Sequence, residues 1–383
     1  MPTLGGRRGF RISKRPRGRT THVSVARTDP LPDPQLAQQK VFEAMPYPPS
    51  FIDRFTDFIQ RQPIPYGLTY LLLFIVQSAM FLVISWMEGW LPAYEFDPIV
   101  LLFSLWLWGP LAFVTYLDAL SLQALSEFRP LLDISTETNR RLEYEFTTMP
   151  AMSVLLGAVA WSGVYVLFWQ LAWSRSAEFS RYGPFATWAT FIAGFVSFFV
   201  GSVIYYHSIR QLRLVSRTVW MVGQFDLFRL DPVYAFSVLT SRTGVCWVVL
   251  LTLTLLISPL QAGGIPELST LILQIALAMG AFLLPLRIVN RRLESEKRGQ
   301  LAELDQRVKA TLIRLHQHVD ENSLQEVSML NDALKGLTTE REILAKIPTW
   351  PWRPGLFAGF VSIIVLPVVL FLIQIALGSW LGP

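Results

Sequence analysis

The chain is poor in the side chains on which most enzyme chemistry draws. It has one cysteine, Cys246, and four histidines in 383 residues. A single thiol excludes a disulfide scaffold and any thiolate-held metal cluster, because both need several sulfurs. Charge is scarce as well: 16% of the residues are Asp, Glu, Lys or Arg, against about a quarter in soluble globular domains. Apolar residues take its place at 52% of the chain, with 13 Trp, 26 Phe and a mean hydropathy of +0.40. That composition belongs to a protein dissolved in a bilayer.

Seven stretches are free of Asp, Glu, Lys, Arg and His over roughly the 20 residues that a helix needs to cross a hydrocarbon core. They are 68–87, 99–117, 151–173, 185–206, 244–260, 268–286 and 356–381. Gln261 to Pro266, rich in Gly and Pro, breaks the fifth from the sixth as a tight hairpin. Every Lys and Arg except Arg175 and Arg181 falls before the first stretch or in alternate loops. Basic residues near a helix end resist translocation, so the N-terminus is expected in the cytoplasm and the C-terminus outside. The predicted fold is all-α: a polytopic membrane protein with seven transmembrane helices and a cytosolic helical hairpin. Trp86, Trp90, Trp169, Trp173, Trp188 and Trp380 are expected to form an outer aromatic belt, with Trp350 and Trp352 marking the inner interface.

Five regions follow. Residues 1–47 read as a disordered basic tail, in which Arg7, Arg8, Arg11, Lys14, Arg15, Arg17 and Arg19 precede the first acid, Asp29. Such a tail is drawn to anionic lipid headgroups, and it equally enforces an inside topology. Residues 48–66 read as an interfacial amphipathic helix, with Phe51, Ile52, Phe55, Phe58 and Ile59 on one face and Ser50 and Asp53 as a capping pair. Residues 67–290 hold transmembrane helices one to six, with the second and fourth extended into the cytosol. Residues 291–347 form the cytosolic hairpin: Leu301, Leu304, Val308, Leu312, Leu315 and Val319 keep a helical period, and a second stripe runs from Leu324 to Ile347 behind a capping box of Ser323 and Glu326. Residues 348–383 form a Trp/Pro linker and the seventh span.

No catalytic residue, cofactor or metal set can be assigned. The sequence contains no nucleophile elbow, phosphate-binding lysine loop or HExxH. His316 and His318 lie about 200° apart on a helix, so they cannot share a metal. The spans carry no acid or histidine at depth, which disfavours proton relays and ion-coupled transport. Asp118 follows the second span directly and reads as an inner-interface carboxylate paired with a base such as Arg210, Arg213 or Arg287. His207 at the end of the fourth span reads as a polar anchor. The remaining polarity is neutral, and Gln77, Gln274, Ser362 and Gln374 are the pore or cavity candidates, with interhelical hydrogen bonding as the other use of such groups. Ala189, Ala193, Ser197 and Gly201 recur every fourth residue and permit close helix approach.

The strings Arg140 to Pro150, Asp231 to Ser237 and Ile347 to Trp352 resemble segments of uncharacterised bacterial multi-pass membrane proteins. That resemblance implies a bacterial inner-membrane location and no activity. The layout also resembles insect olfactory and gustatory receptor channels, which share the topology, long inner helices and a pore-lining last helix in a tetramer. The departure lies in that last helix: the family's Thr-Tyr pair is replaced by Pro367 and Val368, seven and six residues before Gln374. The functional expectation is a non-enzymatic integral membrane protein whose activity the sequence does not fix, with an oligomeric channel or a receptor-like bundle as the leading reading. A scaffold recruiting a cytosolic protein through the hairpin, or a route for lipid or neutral solute, are the alternatives. The expected partners are the bilayer with its anionic headgroups, further copies of the chain or an unknown cytosolic protein, and no nucleic acid.

Overall fold

The computed structural model describes residues 45–383 apart from 90, 97, 99, 172–182, 224, 229, 258–264, 322, 352–354, 382 and 383. The tail arginines Arg7 to Arg19, with Lys14, lie outside the described residues, as do Trp90, Trp173 and Trp352 and the side chains of Gln274 and Trp380. Eleven α-helices are described: α1 Phe51–Gln60, α2 Tyr66–Met87, α3 Val100–Phe128, α4 Thr136–Thr147, α5 Ala151–Leu171, α6 Pro184–Gly201, α7 Val203–Trp220, α8 Asp231–Ile257, α9 Ile265–Asp320, α10 Leu324–Lys346 and α11 Leu356–Leu381. No strand occurs among the described residues.

Among the described residues, six runs of helix are long and apolar enough to cross a membrane: Tyr66–Met87, Val100–Leu131, Ala151–Leu171, Pro184–Trp220, Asp231–Ile257 and Phe357–Gln374. The 22 residues of α2 span about 33 Å at the helical rise, close to a hydrocarbon core. The stretch 268–286 is the first part of α9, many of whose side chains there lie outside the described set.

α3 and α8 form the centre of the bundle. Leu111, Val114 and Leu117 of α3 and Phe236, Leu239 and Leu250 of α8 are buried, whereas α2 and α11 turn most of their apolar side chains outward. α6 crosses α3 at very short range. Ser197 donates to the Phe103 carbonyl at 2.8 Å, and a Cβ on Gly201 would lie 2.4 Å from the Trp106 carbonyl oxygen. The four-residue spacing of small side chains therefore serves this crossing. Tyr165 of α5 lies fully buried against Gly194, and Trp169 is enclosed with it and packs edge-on against Phe191 at 5.1 Å. Trp169 thus belongs to the α5–α6 interface and departs from the expected belt, while Trp188 is exposed.

The largest apolar cluster sits at one end of the bundle, called here the polar end because α1, α4 and the hairpin gather there. It joins Phe128, Phe146 and Phe236 to Leu293 and Leu304 of α9 and Leu344 of α10. α9 runs without a break for 56 residues and turns back through α10. Lys297 closes the base of this hairpin by donating to the Ala345 and Ile347 carbonyls, both at 2.7 Å, and Arg341 meets Asp305 at 2.6 Å. The cap of α10 differs from the expected box. Ser323 gives its helix no side-chain hydrogen bond and bonds instead to the His318 carbonyl, while Glu326 lies 2.7 Å from His318 Nδ1.

Candidate functional site

The polar end holds a set of buried ionisable groups arranged around one turn of α7. α1 begins there because Ser50 and Asp53 exchange hydrogen bonds: the Ser50 backbone N–H donates to Asp53 Oδ2 at 2.9 Å, and the Asp53 N–H donates to Ser50 Oγ at 3.2 Å. The same Oδ2 accepts the Met149 N–H at 2.9 Å, so the cap of α1 also fastens the start of α5. Ile52 and Ile59 bury the inner face of α1 against α2 and α3, while Phe58 stays exposed.

α7 carries His207, Ser208, Arg210 and Gln211 within five residues, and each is committed to a different neighbour. His207 Nε2 lies 2.8 Å from Asp118 Oδ1 of α3, with both residues buried. Ser208 accepts from the Trp247 indole of α8 at 3.1 Å. Arg210 donates to the Thr148 carbonyl at 2.8 Å and to the Tyr47 hydroxyl, with its guanidinium over the Tyr47 ring. Gln211 reaches the Leu117 carbonyl and accepts from Thr243 of α8 at 3.0 Å. About two turns beyond Arg210, Arg217 meets the buried Glu145 of α4 at 3.0 Å, and Arg141 meets the same carboxylate at 3.2 Å.

The electrostatics follow from crowding. Burial lifts the Asp53 carboxyl above the usual carboxylate range, against the pull of the Met149 and Ser50 donors and of His207. Burial likewise pushes the Tyr47 hydroxyl up to about 12, opposed by Arg210. Asp53 Oδ1 and His207 Nδ1 are buried without a hydrogen-bond partner, so the set carries more polarity than its ties use. Among the described residues no group of three His, Cys, Asp or Glu side chains is close enough to hold a metal ion.

Asp118 is therefore buried as a pair with His207, a correction to the expected arginine partner. Arg210 stands three residues further along α7 and faces the α4–α5 junction, while Arg213 and Arg287 turn to a separate groove. The amide candidates serve different helix pairs. Gln77 of α2 accepts from the Trp108 indole of α3 at 2.6 Å, and Gln374 of α11 donates to the Leu255 carbonyl of α8 at 2.8 Å. Ser362 is exposed on α11 and bonds to its own Ala358 carbonyl. The Ser50–Asp53 pair was legible from its spacing, but the reach of Asp53 to Met149 and the Glu145–Arg217 pair were not, because each joins residues far apart in the chain. No family model, curated protein or solved structure matches the chain.

Proposed function

We propose that the protein is a non-enzymatic, multi-pass protein of the bacterial inner membrane that presents the α9–α10 hairpin as an assembly surface. Residues 268–286 of α9 cross the membrane in addition to the six runs above, the N-terminus is cytoplasmic and the C-terminus lies outside. The observation that carries the reading is the outer half of the hairpin, which leaves Ile313, Val319, Leu324 and Met329 exposed beyond the last residues that pack on the bundle. Its charge is balanced: acids and bases alternate along 291–347, which suits pairing with a second copy of itself. The hydrogen-bonded Gln77 and Gln374 act as helix ties in this reading. Light scattering of the full chain in detergent tests it. A multimer that falls to one chain with Ile313→Asp and Met329→Asp is expected, and a wild type of one chain removes self-assembly.

A second reading, an oligomeric channel, is favoured by α11. It packs inward through Phe360 on Phe282, while Val361, Val365, Val369 and Leu372 face outward around the bend-permitting Pro367. Subunits meeting along that face would surround a central axis. Planar-bilayer recording decides: conductance altered by Ser362→Leu supports it, and silence under voltage removes it.

A further inference from the structure

Arginines near the ends of the charge-free stretches divide into two kinds. Arg210 and Arg217 of α7 are used on Thr148 and Glu145, and Arg292 of α9 donates to the Gly223 carbonyl at 3.2 Å and lies over the Trp220 ring. Arg213 of α7 and Arg287 and Arg291 of α9 are different. All three are exposed, and among the described residues no carboxylate lies within salt-bridge distance of any of them. They converge on one groove of about 610 Å³ between α7 and α9, whose other walls include Leu212, Leu284, Ile288 and Ser216. No acidic residue lines it.

The position of this groove along the helices decides what it can hold. Arg287 directly follows the charge-free run ending at Leu286, and Arg213 stands two turns past the run ending at Tyr206. Leu284, on the span side of Arg287, is exposed with Ile209 of α7 near it in the groove. Apolar wall therefore passes into a rim of three guanidiniums at the level where acyl chains give way to headgroups. Three unpaired cations held together on a water-facing surface repel one another, and an anion bridging them relieves that repulsion. Guanidinium groups match phosphate oxygens in geometry as well as charge.

We propose that the α7–α9 groove binds one anionic phospholipid of the cytoplasmic leaflet, its phosphate on Arg213, Arg287 and Arg291 and its acyl chains along Leu212, Leu284 and Ile288. The proposal rests on the membrane topology given above, and the topology is tested separately by tag accessibility, so the two can fail independently. A lipid seated there joins α7, which holds the buried polar set, to α9, which carries the hairpin. A basic tail attracted loosely to a charged surface would give no such fixed stoichiometry.

Native mass spectrometry of the full chain in detergent, with added phosphatidylglycerol or phosphatidylcholine, tests the site. The expected result is one retained phosphatidylglycerol and no retained phosphatidylcholine. Arg213→Gln, Arg287→Gln and Arg291→Gln together should weaken that binding by about a hundredfold, since each basic residue near anionic lipid contributes roughly a factor of five. Replacing Arg298, Arg307 and Arg314 of the hairpin by Gln should leave it unchanged. Equal loss in the hairpin variant, equal retention of phosphatidylcholine by the wild type, or undiminished binding in the groove variant would each overturn the proposal. Glycerol 3-phosphate supplies the headgroup chemistry without the chains, and competition by it at equal concentration would assign the groove to a soluble phosphate instead. The groove variant's elution volume and helical circular dichroism should match wild type. If they do not, the wild-type comparison of the two lipids alone decides.

Discussion

Asp53 in the first helix accepts the backbone N–H of Met149, 96 residues further along the chain, at 2.9 Å. One carboxylate oxygen thereby caps α1 and fixes the entry to α5, and it is buried while doing so.

This double duty makes stability depend on pH in a defined direction. The folded chain holds the Asp53 proton at pH values where the unfolded chain has lost it, because burial raises its pKa. The contribution is complete below the ordinary carboxylate range and is lost as pH rises through the raised value. Asp53→Asn keeps an oxygen for the Ser50 and Met149 N–H donors and cannot ionise. Melting temperatures of both proteins in detergent from acid to mildly alkaline pH should show the wild type losing ground to the variant as pH rises. A gap independent of pH would refute this.

The Asp118–His207 pair is the second test. Removing one member leaves the other buried without its partner, a situation that costs about 3–5 kcal/mol in comparable buried pairs. Asp118→Leu and His207→Leu should each lower the melting temperature strongly. The double variant should lose less than their sum, with a coupling of about 1–3 kcal/mol. Strict additivity would mean that the 2.8 Å contact contributes nothing of its own.

Gly201 and Gly163 form a contrasting pair. A methyl on Gly201 meets the Trp106 carbonyl, and backbone must move to admit it, whereas a methyl on Gly163 meets nothing within 4 Å. Gly201→Ala should destabilise by about 1–3 kcal/mol as α3 and α6 separate. Gly163→Ala should stabilise slightly, by up to about 1 kcal/mol, through helix propensity alone. Thermal melts of the two single variants check the order.

The two amides should also differ. Gln77→Leu strands the Trp108 indole N–H, and a cost of about 0.6–2 kcal/mol is expected. Gln374→Leu strands the Leu255 carbonyl but also removes a buried oxygen that has no partner, so a smaller cost than at Gln77 is expected. Equal losses in side-by-side melts would contradict these assignments.

Patterns repeated along one element were legible in the sequence. The Ser50 and Asp53 spacing marked the start of α1, and the apolar period from Leu301 to Val319 anticipated the helix that α9 forms there. Relations between elements were not. Depth along a helix placed Asp118 beside several bases, but only the rotation of α7 selects His207, since Arg210 three residues on points elsewhere. The Ser323 box failed because His318, at the end of the preceding helix, competes for both Glu326 and the serine hydroxyl. Interior amides were visible as polar residues in apolar runs, yet nothing local names an indole on the next helix as their acceptor's donor.

Residues 207–211 grip α3, α8 and the α4–α5 junction within little more than one helical turn. A sliding motion of α7 along its axis must break all of these bonds together. The segment is a locked spindle that resists displacement along its own length.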